Sequence, residues 1–160
     1  MAYINLQLLR HLRGRTYEIH LPFHDKPLYG RITHIDLLGS TIEDVQGRRI
    51  YVSNYLLMNS ILREHVPTLS LKIALKTNGR EPLQVFNELV NRIKNVDTKI
   101  FRIDDKRISI VRMDSNDLEL VVNAYPAVIP LRNIDILELT NTIHNSLKDY
   151  EPRIEILELL

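Results

Sequence analysis

The sequence between residues 28 and 57 reads LYGRITHIDLLGSTIEDVQGRRIYVSNYLL, and this stretch decides the fold of the first half of the chain. It contains short runs rich in β-branched and aromatic residues, at Tyr29 to Asp36, Ser40 to Val45 and Arg49 to Val52. Turn residues separate these runs, so they predict short strands joined by tight connections. We expect Gly47, in the turn Gln46-Gly47, to adopt a positive φ.

On the amino-terminal side of this stretch, the sequence predicts a short helix and one further strand. Ile4, Leu8 and Leu12 recur every four residues, which is the spacing of an amphipathic helix. Gly14 follows and is expected to end that helix. The segment from Thr16 to Leu21 alternates apolar and polar residues, which predicts a strand.

On the carboxyl-terminal side, the segment from Tyr55 to Leu62 predicts one or two helical turns. Pro67 marks a joint, because proline ends a preceding helix and starts an extended segment. Strands spaced about ten residues apart are typical of a small five-stranded β-barrel or a curled sheet. We therefore predict a first domain at residues 1–66.

The second half of the chain shows the order β-α-β-β-α-β. The predicted elements are strands at Thr68 to Lys76, Arg107 to Met113, Leu118 to Tyr125 and Arg153 to Leu159, and helices starting at Pro82 and running from about Asn133 to Tyr150. With two right-handed crossovers, this order forms a four-stranded sheet with both helices on one face. We therefore predict an α+β protein whose second domain, residues 67–160, is ferredoxin-like.

The composition excludes several classes of protein. The 160 residues contain no cysteine, which removes disulfides, zinc–thiolate sites and cysteine nucleophiles. The formal net charge of +1 argues against a nucleic-acid partner. No segment approaches the roughly 20 apolar residues that cross a bilayer. We therefore expect a cytoplasmic chain, either free or as the soluble part of a larger protein.

The sequence carries no pattern that predicts an enzyme. His20 and His24 have a chelating spacing only on a helix, and Pro22 lies between them. The segment from Asp114 to Glu119 lacks the glycine of a calcium loop and predicts a polar hairpin. Neither a glycine-rich phosphate loop nor a Gly-x-Ser-x-Gly motif is present. We expect no catalytic residue, no metal and no cofactor.

The segment from residue 28 to 57 resembles the β-domain of the small-conductance mechanosensitive channel (MscS) family. The positions that match the family pattern are Gly30, Ile32, Ile35, Thr41, Gly47, Val52, Asn54 and Leu57. Two positions depart from the pattern: the family's Asp-Gly turn is Gln46-Gly47 here, and its Pro-Asn pair is Ser53-Asn54.

The second half is similar to the carboxyl-terminal α/β domain of the same family. The segment from Asp114 to Leu120 stands at the family's polar hairpin, and Ile154 to Ile156 resembles its closing strand. The resemblance covers about residues 12–159. It implies a homo-oligomeric ring, typically a heptamer, that forms the cytoplasmic vestibule of an ion channel. The membrane would be reached only through transmembrane helices that this sequence lacks.

Two sets of residues follow from the resemblance. Gly30, Thr41, Gly47, Asn54 and Leu57 would carry the structural motif of the family. A ring would satisfy the open edge strands that small barrels leave. The expected subunit contacts are therefore Ile50, Tyr51, Val52, Tyr55, Leu56 and Leu57.

An alternative to the channel-like module is an Sm-like RNA-binding ring protein, because Sm-like proteins share the small-barrel fold of the MscS β-domain. The segment from Leu12 to Arg15 resembles the start of an Sm protein. However, Ser40 stands where the Sm RNA-binding loop has asparagine, and Val52 to Asn54 stands where Sm proteins have Ile-Arg-Gly. The near-zero net charge also offers little attraction for phosphates. The residues favour the channel-like module over an RNA-binding ring or a small regulatory ligand-binding domain.

Overall fold

The computed structural model describes residues 9–96, 98–104 and 107–160. The chain divides into two compact units, Met1–Pro67 and Thr68–Leu160, and each contains its own antiparallel sheet. The protein is therefore α+β, as the order of its strands and helices predicted. Within the described residues, no helix combines the length and the apolar character that a membrane crossing requires.

Among the residues that the structure describes, the first unit contains a five-stranded sheet and a short helix that follows its fourth strand. Its elements are β1 (Thr16–His20), β2 (Leu28–Ile35), β3 (Gly39–Glu43), β4 (Arg49–Ser53), α1 (Asn54–Met58) and β5 (Ile61–Glu64). The strand order is β4-β3-β2-β1-β5, with β4 and β5 at the two edges. No closed barrel is seen in the described part of the chain, because closure needs a β4–β5 ladder and these strands pair only with β3 and β1. The sequence predicted a small five-stranded β-barrel or a curled sheet, and the barrel is not confirmed.

Alternating side chains of these strands form the core of the first unit. Successive residues of a strand point to opposite faces, so every second residue reaches the same side of the sheet. The buried set includes Tyr17 and Ile19 of β1, Ile32 of β2, Ile42 of β3, Val52 of β4 and Leu57 of α1. Burial of one such aliphatic side chain stabilises the fold by roughly 1.5–3 kcal/mol.

The chain enters the first sheet through a helical segment and a glycine turn. Leu9 and Arg10 are helical, and Leu9 packs into the core. The part of the predicted helix before Leu9 lies outside the described residues. Gly14 has a φ of +86°, and its N–H donates to the carbonyl oxygen of Ile32 at 2.8 Å. The predicted end of the helix therefore coincides with a left-handed glycine.

Among its described residues, the second unit contains two α-helices, a 3-10 helix and a second antiparallel sheet. Its elements are β6 (Leu69–Lys76), α2 (Pro82–Lys94), β7 (Phe101–Ile103), β8 (Ser109–Met113), β9 (Asp117–Pro126), α3 (Asn133–Ser146), a 3-10 helix (Lys148–Tyr150) and β10 (Arg153–Leu159). The strand order is β10-β6-β9-β7, and β8 also pairs with β9.

Strict alternation of apolar residues builds the core of the second unit. The apolar sides of β6 and β9 are fully or almost fully buried, as are those of α2 and α3: Leu69, Leu71, Ile73, Leu75, Val85, Leu89, Ile93, Leu118, Leu120, Val122, Ala124, Leu139 and Ile143. Pro82 occupies the start of α2, where its missing N–H costs no hydrogen bond. At the start of α3, Asp135 accepts the backbone N–H of Arg132 at 2.9 Å. The Arg132 side chain also holds the pKa of Asp135 below its usual value.

Two strands differ from the sequence prediction. The predicted helix from Tyr55 to Leu62 ends at Met58, and Ile61–Glu64 forms β5 against β1. Phe101–Ile103 forms β7 against the end of β9, with Phe101 buried. Both strands are four residues or shorter. Their pairing with distant strands therefore outweighs the weak preference of so short a segment.

Candidate assembly surface

Asn54, one of the family-motif residues, holds the turn between β2 and β3. Its side-chain nitrogen donates to the carbonyl oxygens of Asp36 and Leu37 at 2.7 and 3.3 Å. Its side-chain oxygen accepts the hydroxyl of Ser40 at 2.7 Å. The backbone N–H of Asn54 donates to the carbonyl oxygen of Leu38 at 2.9 Å. Because Asn54 is buried, these bonds satisfy polar groups that water does not reach.

The helix α1 follows directly from this clamp. Ser53 is its N-cap, and its hydroxyl accepts the backbone N–H of Leu56 at 3.3 Å. Leu57 is fully buried in the core, and Leu56 is half-buried against it. The motif residues Asn54 and Leu57 therefore fix the position of α1 on the sheet, one through hydrogen bonds and the other through packing.

Gly30 and Thr41 lie where neighbouring strands approach closely. A Cβ atom on Gly30 would come within 2.6 Å of the Ile42 side chain and 2.8 Å of the Glu43 carbonyl oxygen, so only glycine fits without movement. Thr41 pairs with Tyr51 across β3 and β4, and its carbonyl oxygen accepts the hydroxyl of Thr33 at 3.2 Å.

Gly47 lies in the turn between β3 and β4 and has a φ of +83°, the positive value predicted for it. Asp44 organises the same turn: its Oδ1 accepts the backbone N–H groups of Gln46 and Arg48, both at 2.9 Å. The Asp44 carboxylate also pairs with the Arg48 side chain at 2.6 Å. Asp44 is not among the residues that the sequence analysis singled out, although an aspartate that starts a glycine turn is a recognised signal.

The six predicted contact residues divide into two groups. Ile50, Tyr51 and Tyr55 are exposed, with Tyr51 at 60% and Tyr55 at 77% of their full accessibility. Val52 and Leu57 are buried in the core of the first unit. Leu56 is half-buried. Only the exposed group can contribute side chains to an interface.

Two residues that sequence reasoning missed extend the exposed group. Leu37 and Leu38, in the turn that Asn54 clamps, are 69% and 77% exposed. The Tyr51 ring occupies the space that a side chain on Gly39 would fill, next to Leu38. We call Leu37, Leu38, Tyr51 and Tyr55 the apolar rim. A leucine pair in a turn is the signal that would have found it, because turns are normally polar.

Charged residues accompany the apolar rim along the edge strand β4. The buried carboxylate of Glu43 lies between two arginines, with Arg31 at 3.1 Å and Arg49 at 3.3 Å. Arg49 belongs to β4 and remains largely exposed. At the opposite edge of the sheet, Glu64 of β5 pairs with Arg15 and is also exposed. The two edges therefore present different charged residues.

A second polar cluster links α2 to the 3-10 helix of the second unit. The Tyr150 hydroxyl donates to Glu88 at 2.7 Å, and the carboxylate of Glu88 also pairs with Arg92 at 2.6 Å. The guanidinium groups of Arg80 and Arg92 lie 5.7 and 5.4 Å from the centre of the Tyr150 ring. The Tyr150 hydrogen bond lowers the pKa of Glu88, and burial raises the pKa of Tyr150.

The histidine and aspartate patterns considered for metal binding do not come together. His20 pairs with Glu18 at 2.6 Å. Asp114 pairs with Arg112, and its backbone N–H donates to the carbonyl oxygen of Asp117 at 2.8 Å, which closes a hairpin. Among the residues that the structure describes, no three His, Asp or Glu side chains are grouped to hold a metal ion.

Comparison with known proteins finds similarity in structure. No protein-family model matches the sequence, and no curated protein matches it. The chain superposes over 98% of its length on Arabidopsis thaliana MSL1, with a TM-score of 0.54 and 12% identity. It superposes over 99% of its length on Helicobacter pylori MscS in the closed state, with a TM-score of 0.54 and 15% identity.

The chain has an MscS-like fold. The family resemblance predicted from the sequence is therefore confirmed at the level of the fold. The matched region makes up 57% of the MSL1 chain and 62% of the H. pylori MscS chain, so this chain spans less than two thirds of either protein. An MscS-like fold does not by itself specify a function.

Proposed function

We propose that this chain is a non-catalytic cytoplasmic vestibule module of a mechanosensitive-channel-like protein and that it acts as a homo-oligomeric ring. The observation that carries this proposal is the open sheet of the first unit, taken together with the MscS-like fold. Its five strands form one antiparallel sheet in the order β4-β3-β2-β1-β5, and we propose that this sheet is Sm-like.

The two edges of the open sheet suit a ring. An exposed edge strand presents unpaired N–H and C=O groups, which natural proteins cover or pair. The edges β4 and β5 differ in sequence, so a contact between β4 of one copy and β5 of the next is head-to-tail. Head-to-tail contacts close into rings when the rotation between copies closes. The subunit number, which we propose to be seven, depends on that rotation.

The apolar rim provides side chains for the same contact. Tyr51 lies on β4, and Tyr55 begins α1 immediately after it. Exposed aromatic residues are enriched at the centres of protein interfaces. Arg49 on β4 and Glu64 on β5 remain exposed beside their partners Glu43 and Arg15, and their opposite charges on the two edges would favour the head-to-tail arrangement.

The second unit supports the same function through its topology. Strands β10, β6, β9 and β8, with two helices in the connections, follow the order of a ferredoxin-like sheet. We propose that this unit forms the wall of the vestibule. Ion passage would then require membrane-spanning segments outside the matched region, and this chain would lie on the cytoplasmic side of that membrane.

The mass of the particle in solution tests the ring. We expect size-exclusion chromatography with light scattering to give a single species of several copies at micromolar concentration. Tyr55→Glu should shift this species to monomer, because the substitution places a charge in the apolar rim. Glutamate in the first turn of a helix is compatible with folding.

Leu83→Glu is the matched control. Leu83 is also exposed and lies in the first turn of α2, so the variant adds the same charge in the same helical setting outside the apolar rim. It should leave the mass unchanged. A monomeric wild-type chain would refute the ring. Tight binding of an oligouridine strand that weakens steeply with salt would instead favour the Sm-like alternative.

A further inference from the structure

A cavity of about 530 Å³ opens on the surface of the second unit. The ends of β6 and β9 line it together with β8, the 3-10 helix and the start of β10. All of these elements belong to one unit of a single chain. The volume is within the range that accommodates small molecules. The cavity is therefore complete without a second copy of the chain.

Most charges at this cavity are already neutralised by partners. Lys76 pairs with Glu151 at 2.7 Å within the lining. Lining residue Arg112 pairs with Asp114 at 2.6 Å, and lining residue Glu119 pairs with Lys72 at 2.8 Å. These pairs occupy Lys76, Arg112 and Glu119 and leave the three side chains little capacity to attract a charged ligand.

Two cationic side chains at the cavity form no ion pair with any described residue. Lys148, in the 3-10 helix, and Arg153, the first residue of β10, are exposed, and neither forms an ion pair within the described residues. His144 adds a third nitrogen-bearing side chain. Asp117, a carboxylate in the same lining, also forms no ion pair with any residue that the structure describes. The charges left over after pairing are therefore two cations and one carboxylate.

The backbone between the two cations brings them to the same cavity. Glu151 has a φ of +48°, in the left-handed region that few residues other than glycine adopt. Pro152 follows and is buried. Residues held in such conformations are concentrated at functional sites. The hydrogen bond from Lys76 lowers the pKa of Glu151, so its carboxylate is charged and already paired beside Arg153.

We infer that this cavity binds a small anion with two acid groups and that Lys148 and Arg153 hold those groups. An arginine can donate two parallel hydrogen bonds to one phosphate or carboxylate, and a lysine adds a compact positive charge beside it. The carboxylate of Asp117 repels the anion and lowers its affinity for the cavity. This inference does not depend on ring assembly, because one unit supplies every lining residue.

Isothermal titration calorimetry on the 160-residue chain tests the site, with pyrophosphate and succinate as probes at constant ionic strength. We expect at least one probe to bind with a dissociation constant of about 1 mM or tighter. Comparison of the two probes shows whether the site prefers phosphate or carboxylate. Sodium chloride at the same ionic strength measures the nonspecific background.

Three variants locate the site. Lys148→Gln and Arg153→Gln should each weaken binding about tenfold, because each removes one charge-assisted contact. Asp117→Asn should tighten binding, because it removes the opposing charge. Arg102→Gln, which removes an exposed arginine on β7 outside the cavity, should leave the affinity unchanged.

Each contrary outcome overturns the inference. It fails if neither probe binds, or if Arg102→Gln weakens binding as much as Arg153→Gln does. It also fails if Lys148→Gln and Arg153→Gln both fold, as circular dichroism would show, and still bind as tightly as the wild type. Because the readout is affinity rather than particle mass, a monomeric chain that binds would refute the ring and leave this site in place.

Discussion

The two turns that flank β3 are held in different ways. Asn54, which directly follows β4, clamps the turn from β2 to β3. Its side-chain nitrogen donates to the Asp36 carbonyl oxygen. The turn from β3 to β4 is held by its own residues, Asp44 and Gly47. The first turn therefore depends on the folding of a distant segment, whereas the second is encoded locally.

Of the substitutions in the two turns, Asn54→Ala should lower the free energy of unfolding the most. It leaves the buried Ser40 hydroxyl without its partner and removes the hydrogen bond to the Asp36 carbonyl oxygen, and we expect a loss of about 2–3 kcal/mol in the free energy of unfolding. Urea denaturation at fixed protein concentration measures it. Asn59→Ala is the control, because Asn59 makes an exposed hydrogen bond in the same helix. Equal losses in the two variants would mean that Asn54 does not clamp the turn.

The substitution Gly47→Val should have the next largest effect, within the locally encoded turn. A β-branched residue at a φ of +83° is strained, and we expect a loss of about 1–2 kcal/mol. Gly47→Asn should cost much less, because asparagine tolerates left-handed backbone. The midpoint of thermal unfolding distinguishes the two variants. A midpoint for Gly47→Val equal to that of the wild type would contradict the strained turn.

The substitution Asp44→Ala should be milder, because the groups it releases lie in an exposed turn. The backbone N–H groups of Gln46 and Arg48 lose their acceptor but reach water, so we expect a loss of about 1 kcal/mol. Asp44→Asn keeps an acceptor oxygen and should recover most of this loss. Urea denaturation of both variants tests the prediction, which is wrong if Asp44→Asn is as unstable as Asp44→Ala.

The second unit has its own long-range link, between Glu88 and Tyr150, and acid should weaken it. The pKa of Glu88 is lower in the folded chain than its ordinary value of 4.5, chiefly because of the Tyr150 hydrogen bond. The stabilisation is therefore complete above that ordinary value and is lost as the pH falls through the lower folded pKa. The free energy of unfolding should decline towards acid in this window.

The substitution Glu88→Gln should reduce the slope of that decline, because glutamine does not titrate. Glu158→Gln, which removes an exposed carboxylate of β10, is the control and should leave the slope as in the wild type. Denaturation curves at a series of pH values below about 5 measure the slope. If Glu88→Gln and Glu158→Gln show the same slope, the acid decline in stability does not come from Glu88.

Much of the architecture could be predicted from local patterns. The strand predicted at Thr68 to Lys76 is β6, and its alternate residues Leu69, Leu71, Ile73 and Leu75 are all buried. Pro82 predicted the start of α2. Such patterns depend only on which neighbours share a face, so they can be read without knowledge of the fold.

The candidate assembly surface could be predicted only in part. Ile50, Tyr51 and Tyr55 are exposed, but the side chains of Val52 and Leu57 are used by the core. Which side chains of the edge strand β4 are buried and which are exposed depends on the face of the strand that α1 covers. That distinction is made by packing between elements, and the local sequence does not contain it.

The sequence by itself determined the α+β class, most of the strands and helices, and the positive φ of Gly47. Only the tertiary structure decided that Ile61–Glu64 pairs with β1, that Asn54 clamps the β2–β3 turn, and that Lys148 and Arg153 line one cavity. The physical reason is the range of the interactions. Periodicity and turn preferences act between near neighbours, whereas strand pairing and buried hydrogen bonds join residues that only the folded chain brings together.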